Sequence, residues 1–277
     1  MRLMPEHDDP QHGGPHDDRP HDDRPQGDRP HDGVPIPAYL RELWYGGDSG
    51  RSGAQRGPKR SIDIHAIGAA SVRLADRSGL GAVSMRAVAT ALGVTTMALY
   101  RYVASKDELV KVMFDAAYGA PPLEHSTSSS WRPRMAAWAH ANRTALLAHP
   151  WLLQVPIDEP PLQPSQIAWM EQGLDALAAT GLDEQVKLSS MLLVDVYVRG
   201  QTQLALGFEA GDTDDDPGVL YARRLAALVD PERFPRIADA LFSGALEDDD
   251  SDFATDEFAF GLDTILDGIG ARIAARR

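Results

Sequence analysis

The sequence predicts an all-α fold, and two observations support that expectation. Apolar residues recur at steps of three and four in the segments after residue 61, and no alternating strand pattern appears after Trp131. Two of these segments meet at Leu92-Gly93-Val94, where glycine can take the left-handed conformation that ends a helix. We therefore expect an N-terminal three-helix helix-turn-helix domain followed by a larger helical domain.

The composition gives the broad class of protein. The chain has 277 residues, 43% of them hydrophobic, which is enough to bury the cores of one or two domains. It contains no cysteine, so disulfides and thiolate chemistry are excluded. No signal-peptide h-region opens the chain and no run of eighteen apolar residues occurs. We expect a soluble, cytoplasmic protein with no membrane partner.

The net charge of −14 is distributed unevenly. Residues 1–50 contain 5 Lys/Arg and 11 Asp/Glu, and residues 120–277 contain 12 and 25. Residues 51–119 instead contain 10 Lys/Arg and 5 Asp/Glu. A basic segment inside an acidic protein is the electrostatic pattern of a nucleic-acid-binding domain.

Residues 1–56 are predicted to form a disordered Pro/His/Asp-rich tail and linker. Proline recurs at every fifth position from 5 to 35, and the few apolar residues cannot offset the entropy of ordering. Five of the nine histidines lie here, which fits either a metal-binding tail or a solvated acidic tail. We predict no metal site and no cofactor. Residues 36–45 form an amphipathic patch without an assigned structure, and the basic arm at 56–60 either follows phosphates or is a solvated linker.

The DNA-binding domain is predicted at 57–119. Ser61 is expected to cap its first helix, and Ser84 and Thr95 occupy the N-cap positions of the next two. A capping box that starts at Ser105 then opens a further helix. In a helix-turn-helix the second helix enters the major groove of DNA.

The helix predicted over 95–102 has side chains that suit contact with the groove. Leu99 faces inward; short side chains near the helix start allow close approach to base edges, and later hydroxyl and cationic groups suit phosphates. The outward or rim residues are Thr95, Thr96, Met97, Ala98, Tyr100, Arg101 and Tyr102. The alternative is a structural helix-turn-helix that does not touch DNA.

Several short motifs resemble the DNA-binding domain of TetR-family repressors over residues 61–118. They are Val-Ala at 88–89, Leu-Gly-Val at 92–94, Leu-Tyr-Arg-Tyr-Val at 99–103 and Ser-Lys-Asp-Glu-Leu at 105–109. The resemblance implies that operator DNA is contacted by Ser84, Arg86, Thr95, Thr96, Met97, Ala98, Tyr100, Tyr102 and Lys106. Met97 and Ala98 stand where the tetracycline repressors carry Pro and Thr, so the operator sequence cannot be carried over.

The second domain is predicted at 128–277. Its helices are expected near 131–148, 164–180, 183–210, 217–229, 231–243 and 255–275. The segments 131–134, 149–152 and 260–269 resemble the ligand-binding and dimerisation domain of the tetracycline-repressor branch. This resemblance implies that the last helix and the helix around 186–208 pair across a two-fold axis into a four-helix bundle.

The last helix has one apolar face, and two small residues recur seven positions apart at Gly261 and Gly268. Either a partner helix or the core of the same chain is expected to cover this face. The apolar residues are Phe258, Leu262, Ile265, Leu266, Ile269 and Ile273.

The ligand site is predicted among aromatic and polar side chains of the second domain, each of which has core packing as its alternative role. Asp195 is expected to pair with Arg199 at i+4. Relative to the tetracycline repressors, Trp138 replaces a polar drug-binding residue and Pro156 a magnesium-ligand histidine, which implies another effector, a hydrophobic or amphipathic organic molecule. The candidates are Trp138, His140, Asn142, Trp151, Gln154, Trp169, Met170 and Asp195.

Together these patterns predict a ligand-responsive repressor. It would bind a palindromic operator in double-stranded DNA as a homodimer and would be released by a small organic inducer. No enzymatic function and no catalytic residue is predicted, because His65, His125, His140 and His149 have no metal-ligand spacing and no phosphate loop or nucleophile motif occurs. The alternative is a helical small-molecule-binding protein, or an enzyme, with no DNA role.

Overall fold

A computed structural model of the chain describes residues 34–46, 62–122, 130–209, 217–245 and 253–276. The chain divides into two units, Met1–Ile36 and Pro37–Arg277. Every regular element among the described residues is helical, which confirms the predicted all-α class. Most of the predicted tail, the basic arm at 56–60 and the expected Ser61 cap lie outside the described residues.

Side chains cap all four helices of the DNA-binding domain. The caps predicted at Ser84, Thr95 and Ser105 are confirmed, but the first helix is capped by Asp63, whose carboxylate accepts from the Ala66 amide at 2.7 Å. An N-cap oxygen satisfies one of the amides that a helix start leaves unpaired. The helices are α2 (Ile64–Ser78), α3 (Met85–Leu92), α4 (Thr96–Leu99) and α5 (Lys106–Tyr118).

The turn between α3 and α4 is formed as the sequence predicts. Gly93 ends α3 with φ 68° and ψ 30°, in the left-handed region. Beyond α4, the capping box at Ser105 differs slightly from its ideal form. The Glu108 amide donates to the Ser105 hydroxyl at 3.1 Å, while the Glu108 carboxylate accepts from the Ala104 amide at 2.6 Å.

The recognition helix α4 is shorter than the predicted segment 95–102. It ends at Leu99 because the Tyr102 amide donates to the Leu99 carbonyl at 2.8 Å and tightens the chain into turns. The Tyr102 hydroxyl also donates to the Ile62 carbonyl at 2.6 Å. This tertiary bond holds Tyr102 against the entry to α2, which periodicity alone does not reveal.

The core of the DNA-binding domain lies mainly between α2 and α5. Buried Ile67 on α2 and buried Val112 and Met113 on α5 contribute to it. The two helices approach closely at Gly68, where an added Cβ would lie 2.8 Å from the Cβ of Ala116. This packing joins α5 to α2, and α2 is also the helix on which α3 of the recognition unit packs.

The second domain is built on α6, α7, α8 and α11, which pack on one another. The start and end of α6 agree with the prediction, and α7 is followed by a 3₁₀ turn that completes the predicted segment 164–180. Gly173 on α7 has no room for a Cβ, because Met191 Cγ and Trp138 would lie 2.9 and 3.1 Å from it. The helices are α6 (Trp131–Ala148), α7 (Pro164–Leu177), α8 (Glu184–Glu209), α9 (Pro217–Leu228), α10 (Pro235–Phe242) and α11 (Phe253–Ala274).

Helix α10 begins later than the predicted segment 231–243. Asp230 accepts from the Glu232 amide at 3.0 Å and folds the next residues into a turn. Pro235 then starts the helix at its first position, where its missing N–H costs nothing. The apolar spacing over 231–243 therefore predicts one continuous helix, although only Pro235–Phe242 is helical.

The segment before the DNA-binding domain contains an additional helix, α1 (Ala38–Tyr45). It packs against α2 and α5 and buries Tyr39, Leu40 and Leu43. This corrects the prediction of a disordered tail and linker over 1–56 for these eight residues. Tertiary packing explains the difference, because an eight-residue segment has little helical stability alone.

Candidate nucleic-acid interface and ligand core

The N-terminal part of α4 is open to solvent, as contact with a DNA groove requires. Met97 is 73% exposed and Thr95 is exposed, while Thr96 and Ala98 are half-buried. Leu99 is fully buried, as predicted. Short side chains around one exposed methionine let this end of the helix approach base edges closely.

Cationic side chains lie on both sides of this surface. Arg86 on α3, Arg101 after α4 and Lys106 at the start of α5 are all exposed. Lys106 also lies in the first helical turn after the Ser105 cap, where the amides of α5 begin. Lysine, arginine and helix N-termini are the groups that bind DNA phosphates.

The two predicted tyrosine contacts differ. Tyr100 is 47% exposed, which leaves it available to DNA. The hydroxyl of Tyr102 donates to the Ile62 carbonyl, so its one proton is engaged within the chain. The DNA contact of Tyr102 stays a prediction. Ser84 combines two roles, since it caps α3 and is also exposed.

Three of the predicted ligand residues form the aromatic and polar centre of the second domain. The Trp138 indole donates to the Trp169 carbonyl at 2.9 Å, and the two rings lie edge to face with centroids 6.2 Å apart. The Tyr118 ring is 5.2 Å from that of Trp169, and the Tyr118 hydroxyl donates to the side-chain carbonyl of Asn142 at 2.9 Å. We call Tyr118, Trp138, Asn142 and Trp169 the aromatic core; each is buried.

Asp195 joins the aromatic core through Asn142, whose amide donates to its carboxylate at 2.9 Å. Among the described residues no ion pair joins Asp195 to Arg199, so the predicted i+4 pair is wrong. Burial raises the pKa of Asp195, although the bond from Asn142 and the charge of Arg199 oppose this. Burial, and after it the negative charge of Asp195, raise the pKa of Tyr118.

The sequence did not single out Tyr118, although it lies at the last position of α5. Its hydroxyl connects the DNA-binding domain to α6, and Asn142 continues the connection to α8. The only sequence signal was its position at the end of a predicted helix, where an aromatic residue can point into either domain.

Trp151 lies at the contact between the two domains rather than in the aromatic core. Its indole donates to the Asp76 carboxylate on α2 at 2.8 Å. The His149 Nδ1 atom lies 2.8 Å from the same carboxylate oxygen. Burial raises the pKa of Asp76, but the bonds from Trp151 and His149 outweigh it, so that the net shift is downward. Asp76 is another residue that no sequence motif marked.

The other predicted ligand residues lie at the edge of the domain. His140 is exposed, and its ring is 5.3 Å from that of Phe258. Gln154 is exposed, and Met170 is half-buried. The structure therefore groups Asn142, Trp138, Trp169 and Asp195 but not these three.

Among the described residues, large exposed apolar side chains are most frequent on α8. Leu192, Leu193 and Val196 are 58%, 52% and 59% exposed, and Leu204 continues the same surface. The predicted stripe on α11 is instead mostly buried within the chain: Gly261 packs against Tyr197, whereas Gly268 has open space beside it. For that stripe, the structure supports core packing over contact with a partner.

The described residues form no cluster suited to a metal ion, because no group of three or more His, Cys, Asp or Glu side chains among them is arranged to hold one. No helix in the same ranges has the length and apolar character needed to cross a bilayer.

Both domains match known families. Residues 67–113 match the model for bacterial regulatory proteins of the tetR family, and residues 123–273 match the tetracyclin repressor-like C-terminal domain. The HTH-type transcriptional repressor DrrR1 of Streptomyces coeruleorubidus is 34% identical over 250 residues, covering 87% of this chain and 88% of that protein. The repressor Rv1353c of Mycobacterium tuberculosis is 26% identical over 231 residues, covering 79% and 84%.

Solved structures support the fold. Apo ActR from Streptomyces coelicolor superposes with a TM-score of 0.66 at 23% identity, covering 79% of this chain and 100% of that chain. ActR in complex with actinorhodin gives a TM-score of 0.64 at 23% identity, covering 77% and 97%.

Proposed function

Because the chain belongs to the TetR family of bacterial transcriptional regulators, we propose that it represses transcription from a palindromic operator as a homodimer and that a small organic inducer releases it. The observation that carries this proposal is the open recognition surface of α4, with Met97 and Thr95 exposed above a buried Leu99. Repression then needs only occupancy of a promoter. The site of action is cytoplasmic DNA.

The DNA contacts divide into two groups by chemistry. Thr96, Met97 and Ala98 face the groove and contact base edges, whereas Lys106 and Arg86 bind phosphates. Ser84, Thr95, Tyr100 and Arg101 complete the contact surface at its edges. Tyr102 supports this surface from inside through its bond to Ile62.

The proposed dimer uses the exposed face of α8. Leu192, Leu193 and Val196 form a continuous apolar surface on a long helix, and a patch of this kind marks a protein contact. Gly268 on α11 leaves space for a partner helix beside it. A two-fold axis there presents two recognition helices to successive major grooves, which lie roughly 34–36 Å apart, so the operator should be an inverted repeat.

The proposed inducer binds at the aromatic core. Organic ligands bind in apolar, aromatic-lined sites with a few polar anchors, which Asn142 and Asp195 supply here. The ActR complexes with actinorhodin and with (S)-DNPA support an organic effector for this fold. A ligand that competes for Asn142 frees the Tyr118 hydroxyl at the end of α5 and so disturbs the packing of α5 on α2, the helix against which α3 rests.

Selection of operator sequences from a random DNA library by the purified protein tests the DNA function. We expect enrichment of one inverted repeat, with a complex that sediments as a dimer on DNA. If no sequence is enriched, the alternative of a helical small-molecule-binding protein without a DNA role replaces the proposal.

A matched pair of variants tests the dimer. Leu192→Asp places a charge on the proposed interface and should give monomers that lose the palindromic site. Leu147→Asp makes the same change at an exposed leucine of α6 and should remain dimeric. A native chain that sediments as a monomer at micromolar concentration, with and without DNA, contradicts the dimer.

A further inference from the structure

Helix α1 lies outside both matched family regions, since those begin at residues 67 and 123. It is nevertheless an ordered helix of eight residues that buries three apolar side chains. No side-chain hydrogen bond caps its start at Pro37. Its helical form therefore depends on packing against the rest of the protein.

One side of α1 packs on the DNA-binding domain. The helix contacts α2 and α5, and Tyr39, Leu40 and Leu43 are 3%, 6% and 7% exposed. Burial raises the pKa of Tyr39, and the positive charge of Lys111 on α5 opposes this shift. Tyr39 is therefore influenced by the charge of a residue on α5, the helix that packs on α2.

The C-terminal end of α1 contacts the second domain. The Trp44 indole donates to the Leu162 carbonyl at 2.9 Å, in the connection 155–163 that precedes α7. The same connection is tied to α5 by the Lys111 Nζ–Glu159 Oε1 ion pair at 2.6 Å. Next to it, the Ser165 amide at the start of α7 donates to the Asp115 carboxylate on α5 at 2.8 Å.

We propose that α1 is an interdomain brace: it is seated on α2 and α5 through Leu40 and Leu43, and through Trp44 it fixes these helices to the connection 155–163 of the second domain. The brace holds the DNA-binding domain in the orientation that binds operator. This consequence rests on the proposed function, in which the protein binds operator until an inducer releases it. A fixed orientation lowers the ordering cost of binding, so loss of the brace weakens the complex and eases release.

The first test measures domain orientation without DNA. The chain has no cysteine, so Arg73→Cys on α2 and Glu171→Cys on α7, both at exposed positions, take spin labels at only those sites. Pulsed electron resonance on labelled protein diluted with unlabelled protein reports the distance within one chain. We expect one narrow distribution for the native sequence and a broad one for the Leu40→Asp/Leu43→Asp variant. The control Arg41→Ala, at an exposed position of α1, should match the native sequence.

A second, milder variant tests the brace in a protein that keeps its overall structure. Trp44→Phe keeps an aromatic ring but removes the donor to Leu162 together with part of the indole's contact area, and circular dichroism verifies that it folds. We expect its distance distribution to broaden as well. Its affinity for an operator selected by the native protein should fall about two- to tenfold, the range of one net hydrogen bond.

The outcomes separate the brace from the proposed function. Distributions that stay narrow in both α1 variants overturn the brace, whatever the DNA results are. Distributions that broaden support it, even if the native protein selects no operator and the repressor proposal fails. If both α1 variants broaden the distribution but bind operator as tightly as the native protein, the brace's role in DNA affinity is overturned.

Discussion

In the DNA-binding domain each of the helices α2 to α5 begins with a side-chain cap, whereas in the second domain α6, α7 and α10 begin without a capping hydrogen bond and the Asp183 carboxylate caps α8. The first domain is thus specified more by local signals that lie next to one another in the sequence. The second depends more on contacts between distant residues, such as the bond from Trp138 to Trp169. The comparison explains why the caps and the turn of the helix-turn-helix are easier to predict than the contacts within the second domain, and it gives an order of expected mutational effects.

The largest effect is expected at Asn142, the centre of the distant contacts. Asn142→Leu keeps the branched shape of the side chain but removes the bonds to Tyr118 and Asp195, leaving a buried hydroxyl and a carboxylate without their partner. We expect the free energy of unfolding to fall by about 2–4 kcal/mol, because stranded buried polar groups each cost about 1–3 kcal/mol. Urea denaturation measures this.

A double variant checks the cause. If the hydrogen bond to Tyr118 accounts for part of the loss, Tyr118→Phe and Asn142→Leu together should cost less than the sum of the single variants. Additive losses would show that Asn142 and Tyr118 act independently, against the connected core described above.

Predictions that rest on local contacts agree with the structure, whereas those that depend on distant contacts do not. Ser84, Gly93, Thr95 and Ser105 were correctly placed because turns and caps involve residues two to four positions apart. Asp63 and Ser61 both have side chains that favour the N-cap position, and the structure shows that Asp63 caps α2.

The predictions are wrong where a contact with a distant residue determines the local structure. Asp195 bonds to Asn142, 53 positions away, and not to Arg199 at the next turn. Tyr102 is fixed by Ile62, and α1 is helical because it packs on α2 and α5. An apolar stripe on α11 does not reveal whether its own chain or a partner covers it. The contact of Trp151 with Asp76 has no sequence signal for a similar reason.

The next effect is expected at a cap. Ser105→Ala removes the acceptor of the Glu108 amide at the start of α5 and should lower the free energy of unfolding by about 1 kcal/mol. Ser105→Thr keeps the hydroxyl and is the control. A loss in Ser105→Thr equal to that in Ser105→Ala would show that packing, and not capping, matters at this position.

A smaller effect, on binding rather than stability, distinguishes phosphate from base contacts. Lys106→Ala should lower the affinity for all DNA sequences about equally, and it should reduce the slope of log affinity against log salt concentration by roughly one. Thr96→Ala should instead change the preferred base at one operator position. Affinities measured at several salt concentrations, on the selected operator and on unrelated DNA, test both. A changed base preference in Lys106→Ala with an unchanged salt slope would reverse its assignment.

The smallest effect is expected at Asp76, where the DNA-binding domain contacts the second domain. Its pKa in the folded protein is below its unfolded value, because the bonds from Trp151 and His149 outweigh burial. A carboxyl with a lowered folded pKa adds stability above its unfolded pKa, and this contribution disappears as pH falls through the folded pKa. The Asp76 side chain is 38% exposed, so solvent screening keeps the contribution small.

We expect the difference in unfolding free energy between the native protein and Asp76→Asn to be present at neutral pH and to vanish under acid. In Trp151→Phe the carboxyl keeps its charge but loses one donor, so its pKa should rise and the contribution should disappear at a higher pH. Urea denaturation from neutral to acidic pH measures all three proteins; a constant difference between native and Asp76→Asn would show that the bonds of Asp76 do not depend on its charge.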